Sequence, residues 1–180
     1  MSSIYLIEED KVGLRFLQEN DREPFYFLQK DATVNRFIRA SISDEDIDKR
    51  FQTLLAPWNQ IEKEFHGLVL CEKPSTQLNG LMWYCHRDKK HDIIEIGWKV
   101  HPDMEGKGYA TRAAVLLMDY LKANYKVHKF IARCDSENKG SERIMQKIGM
   151  RLEVNAHANF KIGEEWRDEI GYGVVVESLK

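Results

Sequence analysis

Cysteine is scarce in this chain, and a long apolar run is absent. The three cysteines, Cys71, Cys85 and Cys134, form no Cys-x-x-Cys pair and are an odd number, which argues against a disulfide framework or a zinc site. No stretch approaches the roughly 18 apolar residues of a membrane span, and the sequence does not open with a basic segment followed by an apolar core. We therefore expect a cytoplasmic protein that does not enter a membrane.

The chain also lacks a large excess of charge of either sign. Lysine and arginine number 27 and aspartate and glutamate 29, with the signs mixed along the chain. This balance argues against nucleic acid as a direct partner. The histidines lack the spacing to cysteines or acids that a metal site needs, so we predict no metal. The 180 residues, of which 43% are hydrophobic, suffice for one full core, and we expect one domain over residues 1–180.

Hydrophobic periodicity in the first hundred residues predicts a strand, two helices and three more strands. Residues 12–16 alternate as a strand does, and Asn20 with Glu23 predicts a capped helix start. A second helix is predicted to begin after Ser43 and to end near Pro57. Polar turns separate three further strands, which we expect to pair as an antiparallel meander, at residues 65–71, 78–84 and 93–100.

The remaining residues predict alternating helices and strands. Apolar residues recur at helical spacing over residues 109–124, and a short apolar run at 129–134 is typical of a strand. A helix is expected at 138–147, followed by strands near 151–154 and 172–177. No repeat or low-complexity linker interrupts this pattern.

Two glycines one residue apart, Gly106 and Gly108, lie where a strand pattern gives way to a helix pattern. Glycine allows a ligand to approach the backbone closely, and the first amides of a helix attract anions. Lys107 and Arg112 would add to this attraction. The segment therefore indicates a phosphate site, although an ordinary strand-to-helix turn has the same pattern.

Two better-known phosphate-binding motifs do not fit these glycines. A dinucleotide-binding fingerprint needs a third glycine, where this chain has Thr111, and no βαβ repeat surrounds it. A P-loop needs serine or threonine directly after its lysine, but Lys107 is followed by Gly108.

Three segments carry a family resemblance. They are Glu-Gly-Lys-Gly-Tyr-Ala at 105–110, Asn138-x-x-Ser141, and Lys-Ile-Gly-Met at 147–150. Together they resemble the GNAT superfamily of acetyl-CoA-dependent N-acetyltransferases, and the likeness extends along most of the chain. The segment 163–168, followed by Tyr172, is similar to the branch that contains the ribosomal-protein N-terminal acetyltransferases.

The resemblance implies an α+β fold in which helices flank a twisted, mostly antiparallel central sheet, in the order β-α-α-β-β-β-α-β-α-β-β. It implies acetyl-CoA as co-substrate and an amine as acceptor. It also implies that the strand backbone pairs with the pantetheine arm and that the glycine segment and the motif asparagine contact the cofactor. The corresponding cofactor-binding residues are Trp98, Lys99, Val100, Glu105, Gly106, Lys107, Gly108, Tyr109, Ala110 and Asn138.

Glu105 departs from the family pattern, which usually has glutamine or arginine at this place. A carboxylate 4 Å from a phosphate would cost roughly 1 kcal/mol in water and about 4 kcal/mol at an effective dielectric of 20. Either Glu105 points away from the phosphate, or the affinity for the cofactor is lower.

Glu95 is the residue that we expect to act as general base. Some members of the family have a catalytic glutamate at the matching place on this strand, acting directly or through water. Alternation places Glu95 on one sheet face with Ile93 and Gly97, whereas Ile94 and Ile96 point to the other face. Burial there would raise its pKa toward the working range. A structural ion pair or an exposed carboxylate is the alternative.

The general acid is less clear from the sequence. Many family members have a tyrosine seven residues after the motif asparagine, but this chain has Met145, which has no proton to donate. In some ribosomal-protein N-terminal acetyltransferases, a serine at the position of Ser141 is thought to protonate the leaving thiolate. A serine near a helix start is also a routine helix residue.

The free energy of deprotonating an amine at pH 7 ranks the possible classes of acceptor. This is about 1 kcal/mol for an α-amine and about 4.6 kcal/mol for a lysine, so a modestly tuned glutamate favours a protein N-terminus. A small-molecule amine, such as a polyamine, an amino acid or an aminoglycoside, is the alternative. Glu105 and Met145 leave open a module that binds acyl-CoA without turnover, and the oligomeric state is open too.

Overall fold

The computed structural model describes residues 4–179, and the strands of that part form one sheet with the order β1-β2-β3-β4-β5-β6-β8-β7. The strands are β1 (Ile7–Glu8), β2 (Val12–Arg15), β3 (His66–Glu72), β4 (Gly80–Asp88), β5 (Ile93–Val100), β6 (Lys129–Asp135), β7 (Arg151–Ile162) and β8 (Glu165–Val175). The helices are α1 (Arg22–Lys30), α2 (Ala32–Asn35), α3 (Asp44–Leu55), α4 (Tyr109–Asn124) and α5 (Lys139–Lys147). Each neighbouring pair of strands is antiparallel except β5 and β6, which are parallel.

The sequence predicted most of these elements correctly. Strands β3, β4 and β5 form the expected antiparallel meander. The α4 helix has the predicted bounds, and Asn138 caps α5, as its amide oxygen accepts a hydrogen bond from the backbone of Ser141. Ser43 likewise caps α3 by accepting from the backbone of Asp46 at 3.1 Å. The α+β class and the mostly antiparallel sheet are confirmed.

The predicted element order was incomplete. The structure adds a two-residue strand, β1, before the first predicted strand, and a four-residue helix, α2, between the two predicted helices. Both are too short to show a periodic pattern. The last two strands are also much longer than predicted, because they continue into a hairpin of 12 and 11 residues.

The start of α1 differs from the prediction. Asn20 and Glu23 do not form a capping pair; instead, the carboxylate of Asp21 accepts a hydrogen bond from the backbone of Gln18 at 2.8 Å. Asp21 also forms a buried ion pair with Arg15, whose guanidinium donates to both of its carboxylate oxygens at 2.7 Å. This pair fastens α1 to β2.

The sheet carries a core on each face. On one face, α4 packs over buried strand residues that include Ile94 and Ile96. On the other, α1 and α3 cover a second cluster centred on Phe25 and Phe51, whose rings meet edge to face with centroids 5.2 Å apart. The predicted alternation in β5 is therefore confirmed, and Glu95 lies on the face that α1 and α3 cover.

Candidate active site

Strands β5 and β6 separate partway along their length. Their parallel pairing covers only Ile93 to Glu95, whereas β5 remains paired with β4 as far as Val100. Within the described residues, the β6-facing edge of β5 beyond Glu95 therefore lacks a strand partner. Such an edge offers backbone amides and carbonyls to an extended ligand.

A cleft of about 330 Å³ opens at this separation, bounded by β5, the start of α4 and the start of α5. Nine of the residues predicted to act in the site line it: Trp98, Lys99, Val100, Glu105, Gly106, Gly108, Ala110, Asn138 and Ser141. The structure thus brings together residues from three separate segments of the sequence, namely β5, the turn before α4 and the start of α5.

The turn before α4 is suited to an anion. Gly106 and Gly108 have φ angles of +73° and +81°, which side-chain-bearing residues rarely adopt, while a Cβ at either glycine would meet no atom within 4 Å. Glycine is therefore required here by backbone conformation and not by crowding. The turn leads into the N-terminus of a 16-residue helix, whose first amides and dipole favour a phosphate.

Lys107 and Tyr109 do not line the cleft with their side chains. Lys107 is exposed, and Tyr109 is buried with its hydroxyl donating a hydrogen bond to Glu72. The backbone amides of these two residues are the groups left to contact a cofactor. Arg112, expected to attract an anion, lies 3.7 Å from a carboxylate oxygen of Glu9 and is engaged there.

Arg143 and Lys147 also line the cleft, from α5, and were not predicted from the sequence as site residues. They are four residues apart and so share one face of the helix. Neither forms an ion pair with any residue among 4–179. The signal was present in the i, i+4 spacing, but it needed the position of α5 beside the cleft to be recognised.

Glu105 lies at the rim of the cleft and has a cationic neighbour. Its carboxylate is 3.8 Å from the guanidinium of Arg36, which follows α2, and both side chains are about half exposed. The nearby cation offsets part of the repulsion that Glu105 would exert on a phosphate.

Ser141 lines the cleft from the first turn of α5, the helix that Asn138 caps. Met145, at the place where the family often has tyrosine, is 0% exposed and packs in the core beside α4. Its side chain therefore fills space instead of reaching the cleft.

Glu95 lies where β5 and β6 begin to separate, outside the cleft lining. Its side chain is 15% exposed, its Oε2 accepts no hydrogen bond, and the nearest cation is the Nε of Arg87 at 3.7 Å. Burial raises the pKa of Glu95 above its ordinary value, against the opposing effect of Arg133 and Arg87. A desolvated carboxylate with a free oxygen is suited to accept a proton.

A second cavity, of about 560 Å³, lies on the face of the sheet that α1 and α3 cover. Trp83 forms part of its wall and packs across Gly97, where a Cβ would stand 2.2 Å from the indole nitrogen. Trp83 is thus partly exposed to this cavity. Ile38 and Lys99 line both cavities, so the two meet at these residues.

Lys99 directs its side chain away from the glycine turn. The residue is 6% exposed, and its ammonium donates to the amide oxygens of Gln29 at 3.3 Å and Asn35 at 3.0 Å. Burial lowers the pKa of Lys99 to about 7, with further lowering from Arg39 and Arg50. Lys99 can therefore contact a cofactor with its backbone while its side chain belongs to the second cavity.

No helix among residues 4–179 combines the length and apolar character needed to cross a membrane. In the same part of the chain, no three histidine, cysteine, aspartate or glutamate side chains are grouped as a metal site would require.

We expect Gly108→Ala to weaken acetyl-CoA binding about tenfold or more, because an alanine strains the left-handed turn by about 1–2 kcal/mol and shifts the amides at the start of α4. Isothermal titration calorimetry measures this. Gly149→Ala is the matched control, since Gly149 has a φ of +85° but does not line the cleft. Equal affinity losses in the two variants would contradict a cofactor role for the turn.

Comparison with known proteins agrees with this geometry. Residues 11–151 match the family model of the acetyltransferase (GNAT) domain. The uncharacterized N-acetyltransferase YnaD of Bacillus subtilis (strain 168) is 28% identical over 171 residues, which are 95% of this chain and 97% of YnaD. Spermidine N(1)-acetyltransferase of Escherichia coli (strain K12) is 29% identical over 167 residues, covering 88% of this chain and 83% of that enzyme.

Solved structures show the same fold. A GNAT-family acetyltransferase from Bacillus anthracis superposes with a TM-score of 0.82 at 27% identity, covering 95% of this chain and 98% of that one. RimL, a ribosomal L7/L12 α-N-protein acetyltransferase, superposes with a TM-score of 0.81 at 14% identity, covering 98% of both chains, and this likeness shows the fold alone. The chain belongs to the GNAT family and is an acetyl-CoA-dependent N-acetyltransferase.

Proposed function

We propose that this enzyme acetylates the α-amine at the N-terminus of a peptide or protein, with Glu95 as general base and Ser141 as general acid. The relatives do not decide the acceptor, since they include a spermidine acetyltransferase and a fold neighbour that acts on a ribosomal protein. The observation that carries the proposal is the lining of the second cavity. It lies on the same sheet face as Glu95 and meets the cleft at Lys99, so it is the natural acceptor site.

The cavity is cationic, which disfavours polyamines. Its lining includes the basic side chains of Arg39, Lys49, Arg50, Lys63 and Lys99, against one carboxylate, Glu64. A polyamine carries several positive charges at neutral pH and would be repelled. An N-terminal amine carries a single charge and loses it more easily, because its pKa of about 7.8 lies well below that of a lysine, about 10.4.

The proposed chemistry is a direct transfer. The neutral amine attacks the thioester carbonyl carbon, Glu95 accepts the proton that the nitrogen loses, and the carbon–sulfur bond breaks. Ser141 donates a proton to the leaving thiolate and regains one from solvent. Glu95 is three residues before Trp98, about 10 Å along an extended strand, so we propose that its proton transfer passes through water.

Acetyl-CoA binding in this scheme uses three features of the chain. The β6-facing edge of β5 over Trp98 to Val100 would pair with the pantetheine arm. The amides from Gly106 to Ala110 would hold the pyrophosphate, and Arg143 and Lys147 would contribute positive charge from α5.

The acceptor is tested by thiol release from acetyl-CoA in the presence of matched amines. We expect turnover with free N-terminal peptides and none with the same peptides blocked at the N-terminus, because a blocked amide nitrogen is not nucleophilic. Spermidine should react with a kcat/KM at least about tenfold lower, owing to repulsion by the cationic cavity. Preferred turnover of spermidine, or of a peptide whose only free amine is a lysine, would contradict the proposed acceptor.

A further inference from the structure

Three basic side chains, those of Lys99, Arg39 and Arg50, line the second cavity. The ammonium of Lys99 and the guanidinium of Arg39 both reach the amide oxygen of Gln29, at 3.3 and 3.5 Å. Arg50, on α3, lines the cavity beside them. These residues come from β5, from the segment after α2 and from α3, so only the folded chain brings them together.

The cluster has no acidic partner within the described part of the chain. No carboxylate lies within ion-pair distance of Lys99, Arg39 or Arg50, and the contacts of Lys99 are to the neutral amides of Gln29 and Asn35. Burial together with Arg50 lowers the pKa of Arg39 to about 10. Arg39, Arg50 and the protonated form of Lys99 repel one another, which raises the free energy of the empty site.

The two other cations around the cavity already have acidic partners. Lys49 pairs with Glu45 at 2.8 Å, and Lys63 pairs with Glu62 at 3.4 Å. Asp46, which lines a neighbouring pocket together with Arg39 and Arg50, accepts a hydrogen bond from the hydroxyl of Ser43. Among the cations that line this cavity, Lys99, Arg39 and Arg50 are therefore the ones without an acidic partner in the described part of the chain.

We propose that Lys99, Arg39 and Arg50 form a subsite for an anionic group, a carboxylate or a phosphate, that is covalently attached to the amine acceptor. This inference rests on the proposed function, which it deepens. Since Lys99 and Ile38 line both cavities, an anion bound here lies beside the cofactor cleft. The anionic group then holds the acceptor in place, and the amine attached to it can reach the cofactor cleft.

Matched acceptors distinguish the sources of the anion. The first pair is two N-terminal peptides that differ only by aspartate or asparagine at the second position. The second pair is free aspartate and asparagine, and the third is phosphoethanolamine and ethanolamine. We expect the charged member of at least one pair to have a KM about tenfold lower, with the difference shrinking at high salt.

Variants assign the effect to the cluster. Arg50→Gln, a change at an exposed residue, should raise the KM of the anionic acceptor about tenfold while leaving its kcat and the acetyl-CoA affinity nearly unchanged. Arg39→Gln should act in the same direction. Arg151→Gln is the matched control, because Arg151 is exposed on β7 and does not line either cavity.

The outcomes separate this inference from the proposed function. Turnover of peptides without regard to charge overturns the subsite and leaves the N-terminal acceptor intact. Turnover of free aspartate or phosphoethanolamine but of no peptide overturns the N-terminal acceptor and supports the subsite, provided that Arg50→Gln raises KM. Should no amine be acetylated, calorimetry of the two peptides with the CoA-saturated enzyme decides: equal affinity for both overturns the subsite.

Discussion

Replacing Glu95 with glutamine is expected to lower kcat about 10²- to 10⁴-fold while acetyl-CoA binding stays unchanged, because positioned general bases contribute acceleration of that size. The amide keeps the shape of the side chain but does not accept a proton from the amine. The carboxylate it replaces is largely buried, with one oxygen free of hydrogen bonds. Thiol-release kinetics and a cofactor titration on the same sample measure the two quantities.

The pH profile adds a second readout to this variant. As the proposed general base, Glu95 would act as a carboxylate. Wild-type kcat/KM should therefore fall as the pH drops through the pKa of Glu95, which burial places above the ordinary value for glutamate. That acid limb should be absent from Glu95→Gln. Unchanged turnover in the variant would show that another group accepts the proton.

Glu169→Gln is the matched control for Glu95. Glu169 lies on the same sheet face, pairs with Arg133 at 3.4 Å and, by repulsion, helps to raise the pKa of Glu95. Its removal should leave kcat at the plateau nearly unchanged and move the acid limb to lower pH. A loss of kcat equal to that of Glu95→Gln would mean that the negative charge of this face, and not one base, is required.

The sequence predicted those parts of the fold in which local pattern and burial agree. The α4 helix has an apolar face and a glycine turn at its start, and its bounds were correct. The last hairpin was underestimated although residues 155–162 of β7 alternate between polar and apolar types. Two of the apolar positions, Ala156 and Ala158, carry alanine, which is depleted in strands, and β7 is exposed along much of its length. Asn20 does not cap α1. The side chain that accepts a backbone hydrogen bond at this place is instead that of Asp21, which is paired with Arg15.

The candidate site, like the fold, has parts that the sequence predicted and parts that it did not. The glycine turn and the Asn138 cap are local motifs, and the sequence contains them in full. The position of Glu95 on its sheet face followed from alternation within β5. The cationic cluster could not be predicted, because its members are 11 to 60 residues apart and no local spacing relates Arg39, Arg50 and Lys99.

Lys99 shows why the side chain and the backbone of one residue need separate assignments. The resemblance to the GNAT family placed Lys99 on the cofactor-binding strand, and its backbone remains there. Its ammonium is instead buried among amides and other cations. Burying this charge costs free energy that a hydrophobic side chain of similar size would not cost. A buried charge without a counter-ion is more easily explained by a ligand than by stability.

This burial predicts a pH-dependent stability that Lys99→Met should remove. The folded-state pKa of Lys99 is about 7, whereas an unfolded lysine has a pKa of about 10.4, so the unfolded chain binds more protons between these values. Wild-type stability therefore gains up to about 1.36 kcal/mol per pH unit from this group as the pH rises through that window. From pH 7 to pH 9 the free energy of unfolding of the wild type should rise by about 2 kcal/mol relative to Lys99→Met.

Urea unfolding of both proteins at several pH values measures this difference. Other titrating groups are common to the two proteins and cancel, and any hydrogen bonds lost by Gln29 and Asn35 shift the curves without changing their relative slope. Lys122→Met, a change on the surface of α4, is the control and should follow the wild type at every pH. A constant offset between the wild type and Lys99→Met would mean that the ammonium is hydrated or paired in solution, and the same result would remove the electrostatic reason for an anion beside it.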